Sequence, residues 1–251
     1  MKNQRLSALM LAVTPTFRHI AALLTAATGI EYFLFHRAMK AAQPSAMTEF
    51  ADLEPIPAFE AIIENAHLEH ILCALFFLFS ALFLFTGCEQ KGGKLRYTLR
   101  RLSIPEGQIH LSWAVYYSLC YLLLMAWQTG MFWVLYRVYA ASPFGEGLGA
   151  NGFFLATYRS DLLHSLLPLH DVARQIRNAV LLPCLGLSCS FFSFHQSRGR
   201  RGWDALLLIA LTAFVFIRSM GNTAMDVFTM IYAVWMTAIC LRHTRRDTDE
   251  A

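Results

Sequence analysis

Apolar residues in this chain are gathered into blocks of helical length, separated by shorter polar and charged stretches. A hydrocarbon core about 30 Å thick is crossed by roughly 20 mostly apolar residues in a helix. By that measure the pattern predicts six spans, at about 20–39, 68–86, 111–139, 178–194, 203–217 and 226–241, with external loops 40–67 and 140–177 and a cytoplasmic connection 87–110. The second span has the run Ile71–Phe85 at its heart, and the last three are short. Phe153–Leu169 offers a seventh span, but Arg159, Asp161 and His164 interrupt it, and burying such groups in lipid is costly. That stretch is read instead as part of the second external loop. Ser160 there can cap a short helix whose apolar stripe is Leu162, Leu163, Leu166 and Leu167. Ahead of the first span, Leu6, Leu9, Met10 and Val13 recur at i, i+3, i+4, i+7, which predicts an amphipathic helix lying on the membrane face. The basic, apolar start is not read as a signal peptide, because Pro15, Arg18 and His19 follow with no small-x-small site. The expected fold is all-α: one transmembrane domain over 1–251, built as a six-helix bundle behind an N-terminal amphipathic helix.

Composition agrees with lipid as the main solvent. Hydrophobic residues make up 56% and charged residues 15% of the 251, against roughly 45–50% and about 25% in soluble domains. The net charge of +4 matters through its distribution. Lys2, Arg5 and Arg18 precede the first span. Lys91, Lys94, Arg96, Arg100 and Arg101 follow the second, Arg198, Arg200 and Arg201 the fourth, and Arg242, Arg245 and Arg246 the sixth. Loop 40–67 carries Glu49, Asp52, Glu54, Glu60 and Glu64 against Lys40 alone. Lys and Arg concentrate in cytoplasmic loops, so both termini are expected in the cytoplasm of a multi-pass protein of the plasma membrane. Trp113, Tyr116, Tyr136, Tyr139 and Trp203, near span ends, are expected in the interfacial belt. The basic residues flank apolar runs and build no separate domain, which argues against nucleic acid as a partner. Five of the six cysteines lie in or against apolar runs, and there is no C-x-x-C, so a disulfide framework is not expected.

Polar residues within the apolar blocks are the next candidates, since ionisable groups at membrane depth mark function by default. Glu31 stands in the middle of the first span, with Tyr32, His36 and Arg37 nearby. Gln128 and Thr129 lie inside the third and could line a path or bond between helices. Arg218 and Asp226, at the two ends of the turn between spans five and six, are expected to snorkel or to bridge one another rather than form a site. His67, His70 and Glu64 fall at i, i+3, i+6 on one helical face, and Asp161 with His164 repeats the spacing in the other external loop. Zinc accepts such ligands, but no H-E-x-x-H accompanies them, and no metal or cofactor is expected. The G-x-S-x-G elbow of serine hydrolases is absent too, so no catalytic residue is assigned.

The cytoplasmic connection reads GCEQKGGKLRYTLRRLSIPEGQIHLSW over Gly87–Trp113. Leu95, Leu99 and Leu102 give one apolar edge, and Lys94, Arg96, Arg100 and Arg101 a basic remainder. Read from periodicity alone, this is either a basic helix on anionic lipid or a helix offered to a cytoplasmic partner. Glu89, Gly92–Gly93, Thr98–Leu99, Leu102, Pro105 and Ile109 follow in the order of the segment that ABC-2-type transporter permeases carry after their second span. The chain resembles that family over this stretch by motif and over its whole length by topology. The resemblance implies a membrane-spanning permease subunit that moves a substrate on ATP hydrolysed elsewhere. Leu95, Thr98, Leu99, Leu102, Pro105 and Ile109 would dock an ATP-binding ABC subunit, and a second permease copy or a paralogue would complete the path. The chain has no P-loop of its own: Leu95 follows Gly93–Lys94, and position 88 is cysteine. Two other classes stay open, a membrane enzyme or metal-handling protein using the external His, Asp and Glu residues, and an accessory structural subunit.

Overall fold

A computed structural model describes residues 2–42, 58–88, 106–145, 149, 151–197, 202–217 and 223–249. Among the described residues every regular element is helical. These are α1 (Lys2–Ala41), α2 (Phe59–Asn65), α3 (Leu68–Cys88), α4 (Glu106–Ala140), a 3-10 turn (Pro143–Gly145), α5 (Asn151–Arg159), α6 (Asp161–Leu166), α7 (Val172–Ser197), α8 (Trp203–Ile217) and α9 (Thr223–Asp249). Four stretches are long and apolar enough to cross a membrane: Ser7–Ala41, Leu68–Thr86, Gly107–Ala140 and Thr223–Arg242. Helix α8 is apolar but shorter, and α7 is long but carries Arg174 and Arg177 in its first turns. Large apolar side chains such as Phe33, Phe85, Leu119, Val134, Ile231 and Trp235 point outward from these helices. A water-soluble monomer rarely tolerates so much exposed apolar surface. The chain is an all-helical membrane protein.

The six longer helices alternate in direction through one bundle, and contacts between their ends fix the pattern. At the end where α1 begins, the Trp113 indole N–H donates to the Ala8 carbonyl (2.9 Å), the Ser190 hydroxyl donates to the His110 carbonyl (2.6 Å), and His195 meets Cys240 (3.3 Å). In that half Phe83 of α3 also stacks on Tyr117 of α4, with ring centroids 4.4 Å apart. At the opposite end Phe35 of α1 packs on Phe59, which packs in turn on Tyr136 and Tyr139 of α4. There too Arg177 of α7 bonds Asp226 of α9 and lies over Phe216 of α8. Two large buried clusters result, beside a small one of Phe191 and Cys240. The first takes the N-terminal halves of α1 and α4, the C-terminal half of α3, and α7, α8 and α9. The second takes the remaining halves of α1, α3 and α4 with α2, α5 and α6.

Several expectations need correction. The amphipathic helix before the first span is no separate element: α1 runs unbroken from Lys2 through Pro15 to Ala41, about 60 Å at 1.5 Å per residue. Its buried face there is Ala8, Ala12 and Thr16, spaced by four, while Leu9 and Val13 are only half-buried and Met10 is exposed. Small side chains at that spacing let two helix backbones approach closely, and Thr16 meets the Tyr116 hydroxyl at 2.8 Å. Packing on α4 carries the helix past the proline, which removes one backbone bond. The helix that holds the fourth predicted stretch starts earlier than Asn178, at Val172. Trp113, Tyr136 and Tyr139 do not form a lipid-facing belt but are buried in the bundle, whereas Trp203 is exposed. Stretch 153–169 breaks into α5 and α6, of 9 and 6 residues, each too short to cross a bilayer. Ser160 precedes α6 as expected but makes no side-chain cap bond, and Leu162, Leu163 and Leu166 are buried.

Candidate functional site

The stripe that α1 turns toward the bundle includes Ile20, Leu24, Ala27, Glu31, Phe35 and Met39, all buried. Spacings of three and four keep these residues on one side of a helix, so the carboxylate of Glu31 must enter the interior. Helix α4 does the same with Tyr117, Leu124, Gln128, Phe132 and Leu135. The two polar residues meet: Gln128 Nε2 donates to Glu31 Oε1 at 3.0 Å, with Glu31 1% and Gln128 0% exposed. No cation lies within ion-pair distance of Glu31 among the described residues. Gln128 Oε1 is buried without a hydrogen-bond partner. The pair sits at the seam between the two clusters. Ala27 and Leu124 belong to the first, and Phe35 and Phe132 to the second. One turn earlier on α1, Thr28 accepts from the Trp127 indole at 3.0 Å, a second α1–α4 link nearer the surface.

A second polar centre closes the end of the bundle where α7 begins. Asp171 precedes α7, and its Oδ1 accepts the Arg174 backbone N–H at 3.2 Å in N-cap fashion. Its Oδ2 takes Arg174 Nε at 3.1 Å. Asp226 of α9 receives Arg177 Nη1 at 2.6 Å and stands 3.7 Å from Arg174 Nε. Arg177 also donates to Asn178 Oδ1 from Nε (3.2 Å) and Nη2 (3.0 Å), while Asn178 Nδ2 donates to the Ser165 carbonyl of α6 at 3.0 Å. Two arginines and two aspartates thus balance in charge, and the network ties α6, α7 and α9 together. Asp226 was expected to pair with Arg218, which lies outside the described residues; its partners are Arg177 and Arg174. Sequence reasoning passed over both arginines. The signal was there: two arginines three residues apart, ahead of an apolar run and away from the basic loops, call for an acid.

The other candidates divide. Leu95, Thr98, Leu99, Leu102 and Pro105 lie outside the described residues, and Ile109 is buried in the first cluster, 1% exposed, so its side chain serves the bundle. Thr129 turns its hydroxyl back to the Met125 carbonyl. Glu64, His67 and His70 do not share a helical face, because α2 ends at Asn65 and His67 takes a left-handed φ of 53°. Among the described residues no three His, Cys, Asp or Glu side chains converge to hold a metal ion. His170 instead stacks on Tyr158, and His164 lies tilted against both rings. Burial first, and then the charge of Arg174, pull the His164 imidazole below its ordinary value of 6.5. In the first cluster Tyr121 joins three helices, its hydroxyl 2.8 Å from Ser80 of α3 and 3.4 Å from Cys189 of α7. Beside it a cavity of about 50 Å³ is lined by Leu72, Phe76, Leu124, Leu162, Leu185 and Phe216, among others. Comparison of the chain with protein-family models, with curated proteins and with solved structures gives no match.

Proposed function

We propose that the chain is the membrane-spanning subunit of an ATP-driven exporter of the ABC-2 type. Helices α1, α3, α4, α7, α8 and α9 are its six spans, both termini are cytoplasmic, and the ATPase is a separate chain. The observation that carries this reading is where the helix ends fall. Alternation brings the start of α1, the end of α3, the start of α4, the end of α7 and the end of α9 to one end of the bundle. The sequence next to those helix ends is rich in Lys and Arg, which belong on the cytoplasmic side. Cys88 and Glu106, the described neighbours of residues 89–105, lie at that same end, and an ATPase docked on Leu95, Thr98, Leu99, Leu102 and Pro105 would approach from there. Helix α8, about 22 Å long at 1.5 Å per residue, crosses with local thinning of the bilayer. With six spans and no P-loop, a second copy or a paralogue completes the translocation path.

Photocrosslinking from positions 95, 99 and 102 in native membranes tests the docking. The expected product is a P-loop ATPase, lost when Leu99→Asp and Leu102→Asp are introduced together. Recovery of no ATPase from any of the three positions overturns the reading. Labelling with a membrane-impermeant thiol reagent tests the orientation: Ser45→Cys should react in intact cells and Ser103→Cys only after permeabilisation, and the reverse pattern inverts the topology.

A further inference from the structure

We propose that Glu31 and Gln128 form a proton-binding site inside the bundle, occupied as a carboxylic acid paired to a carboxamide through two hydrogen bonds. An ionised carboxylate only accepts hydrogen bonds. It can accept a hydrogen bond from Gln128 Nε2, as at the 3.0 Å contact, but it has nothing to offer Gln128 Oε1. That oxygen is buried and unpartnered, and an unmet acceptor in an apolar interior carries a real penalty. A proton on the second carboxyl oxygen of Glu31 removes the mismatch. The acid then donates to Gln128 Oε1 while its carbonyl oxygen accepts from Nε2, which closes a ring of two antiparallel bonds. The balance is simple. One proton from water adds to the carboxylate, no other bond breaks, and the charge goes from minus one to zero.

The surroundings favour the neutral partner. On α1 the nearest charged or titratable groups in sequence are Tyr32, His36 and Arg37. From α2 come Glu60 and Glu64; from α3, Glu69, His70 and Cys73; from α4, Tyr121 and Arg137. None forms an ion pair or hydrogen bond with Glu31 among the described residues. Tyr121 already meets Ser80 and Cys189, and Glu60 meets Arg159. A bare anion would therefore stand at the seam of the two core clusters with one hydrogen bond and no cation. Such a charge is stabilised only by admitting water or a cation between α1 and α4. Proton occupancy thus sets how firmly the two halves of α1 are held to α4. This inference does not depend on the transport reading, and its test needs no partner chain.

The test is infrared spectroscopy of the full-length protein in lipid nanodiscs, comparing wild type with Glu31→Gln. The carboxamide at position 31 can make the same two bonds to Gln128, so the variant keeps the fold. The wild-type-minus-variant difference should contain the carbonyl band of a protonated carboxylic acid. A difference containing only carboxylate bands overturns the proposal. Gln128→Leu gives an independent reading with Glu31 in place. It should shift the protonated-acid band through loss of its two hydrogen bonds, and a band unmoved in that variant overturns the pairing.

Discussion

Removing Asp226 strikes the most concentrated charge in the bundle. Its carboxylate is 2.6 Å from Arg177 and 3.7 Å from Arg174, and the three side chains are 8%, 2% and 7% exposed. At 2.6 Å two unit charges attract by roughly 6 kcal/mol at an effective dielectric of about 20. Desolvation offsets much of that attraction while the pair is intact. In Asp226→Ala the attraction goes and the buried guanidinium stays, which typically costs about 3–5 kcal/mol. The low end is expected here. Arg177 keeps two N–H···O bonds to Asn178, and Arg174 keeps Asp171. We therefore expect a loss of about 3 kcal/mol, more than a hundredfold in the folding equilibrium at 1.4 kcal/mol per decade. Asp226→Asn retains one acceptor and should lose less. The double variant Arg177→Met with Asp226→Leu removes both charges and should be closer to wild type than Asp226→Ala is. Reversible unfolding in mixed micelles, followed by tryptophan fluorescence, measures all three. If Asp226→Ala falls within 1 kcal/mol of wild type, or the double variant is the least stable, the network is not what closes this end.

Three further expectations follow from packing and charge. In Gly186→Ala the added methyl meets Ser118 Oγ and, at 2.5 Å, the Ala114 carbonyl. Helices α4 and α7 must separate at a cost of about 1–3 kcal/mol, and adding Ser118→Ala should not restore the melting temperature because the backbone carbonyl remains. Trp113→Phe leaves the Ala8 carbonyl without its indole donor and should cost about 1 kcal/mol, with faster proteolysis of the start of α1 than in wild type. His164 binds its proton less readily folded than unfolded, so its contribution to stability is fully present above about pH 6.5 and declines as pH falls through that value toward the lower folded one. The melting temperature of wild type relative to His164→Gln should therefore drop on acidification through that window; a constant difference refutes the assignment.

What could be read from the sequence depended on how local the cause was. Apolar blocks locate α3 and α8 almost to the residue, because burial in lipid acts on every position of a span. The packed face of α1 escapes the same logic. A hydrophobic stripe is found by looking for large side chains, and this face is built from Ala8, Ala12 and Thr16, whose value lies in being small. Glu31 and Gln128 both stand out as polar residues in apolar runs. Their pairing does not, since they are 97 residues apart and only the crossing of α1 and α4 brings them together. Arg174 and Arg177 show the opposite failure. Basic residues near span ends are easily read as markers of sidedness, and the acid that neutralises them sits on another helix. The ABC-2 reading proposed above rests chiefly on residues 89–105, outside the described residues, so the proposed docking residues follow from motif and not from geometry.

The Arg177–Asp226 pair also bears on how the protein is made. An arginine at the centre of a helix opposes insertion by about 2.5–3.5 kcal/mol, less near its end, and α7 brings two of them with no acid yet available on α9. Asp226 is 49 residues downstream of Arg177. At about 5–20 residues per second, the ribosome delivers it roughly 2–10 s later. On the proposed six-span reading, Arg177 waits that long for its acid, while Arg174 already has Asp171 beside it. On that same reading Arg177 is neutralised only when α9 arrives, which makes α7, α8 and α9 a single unit of biogenesis.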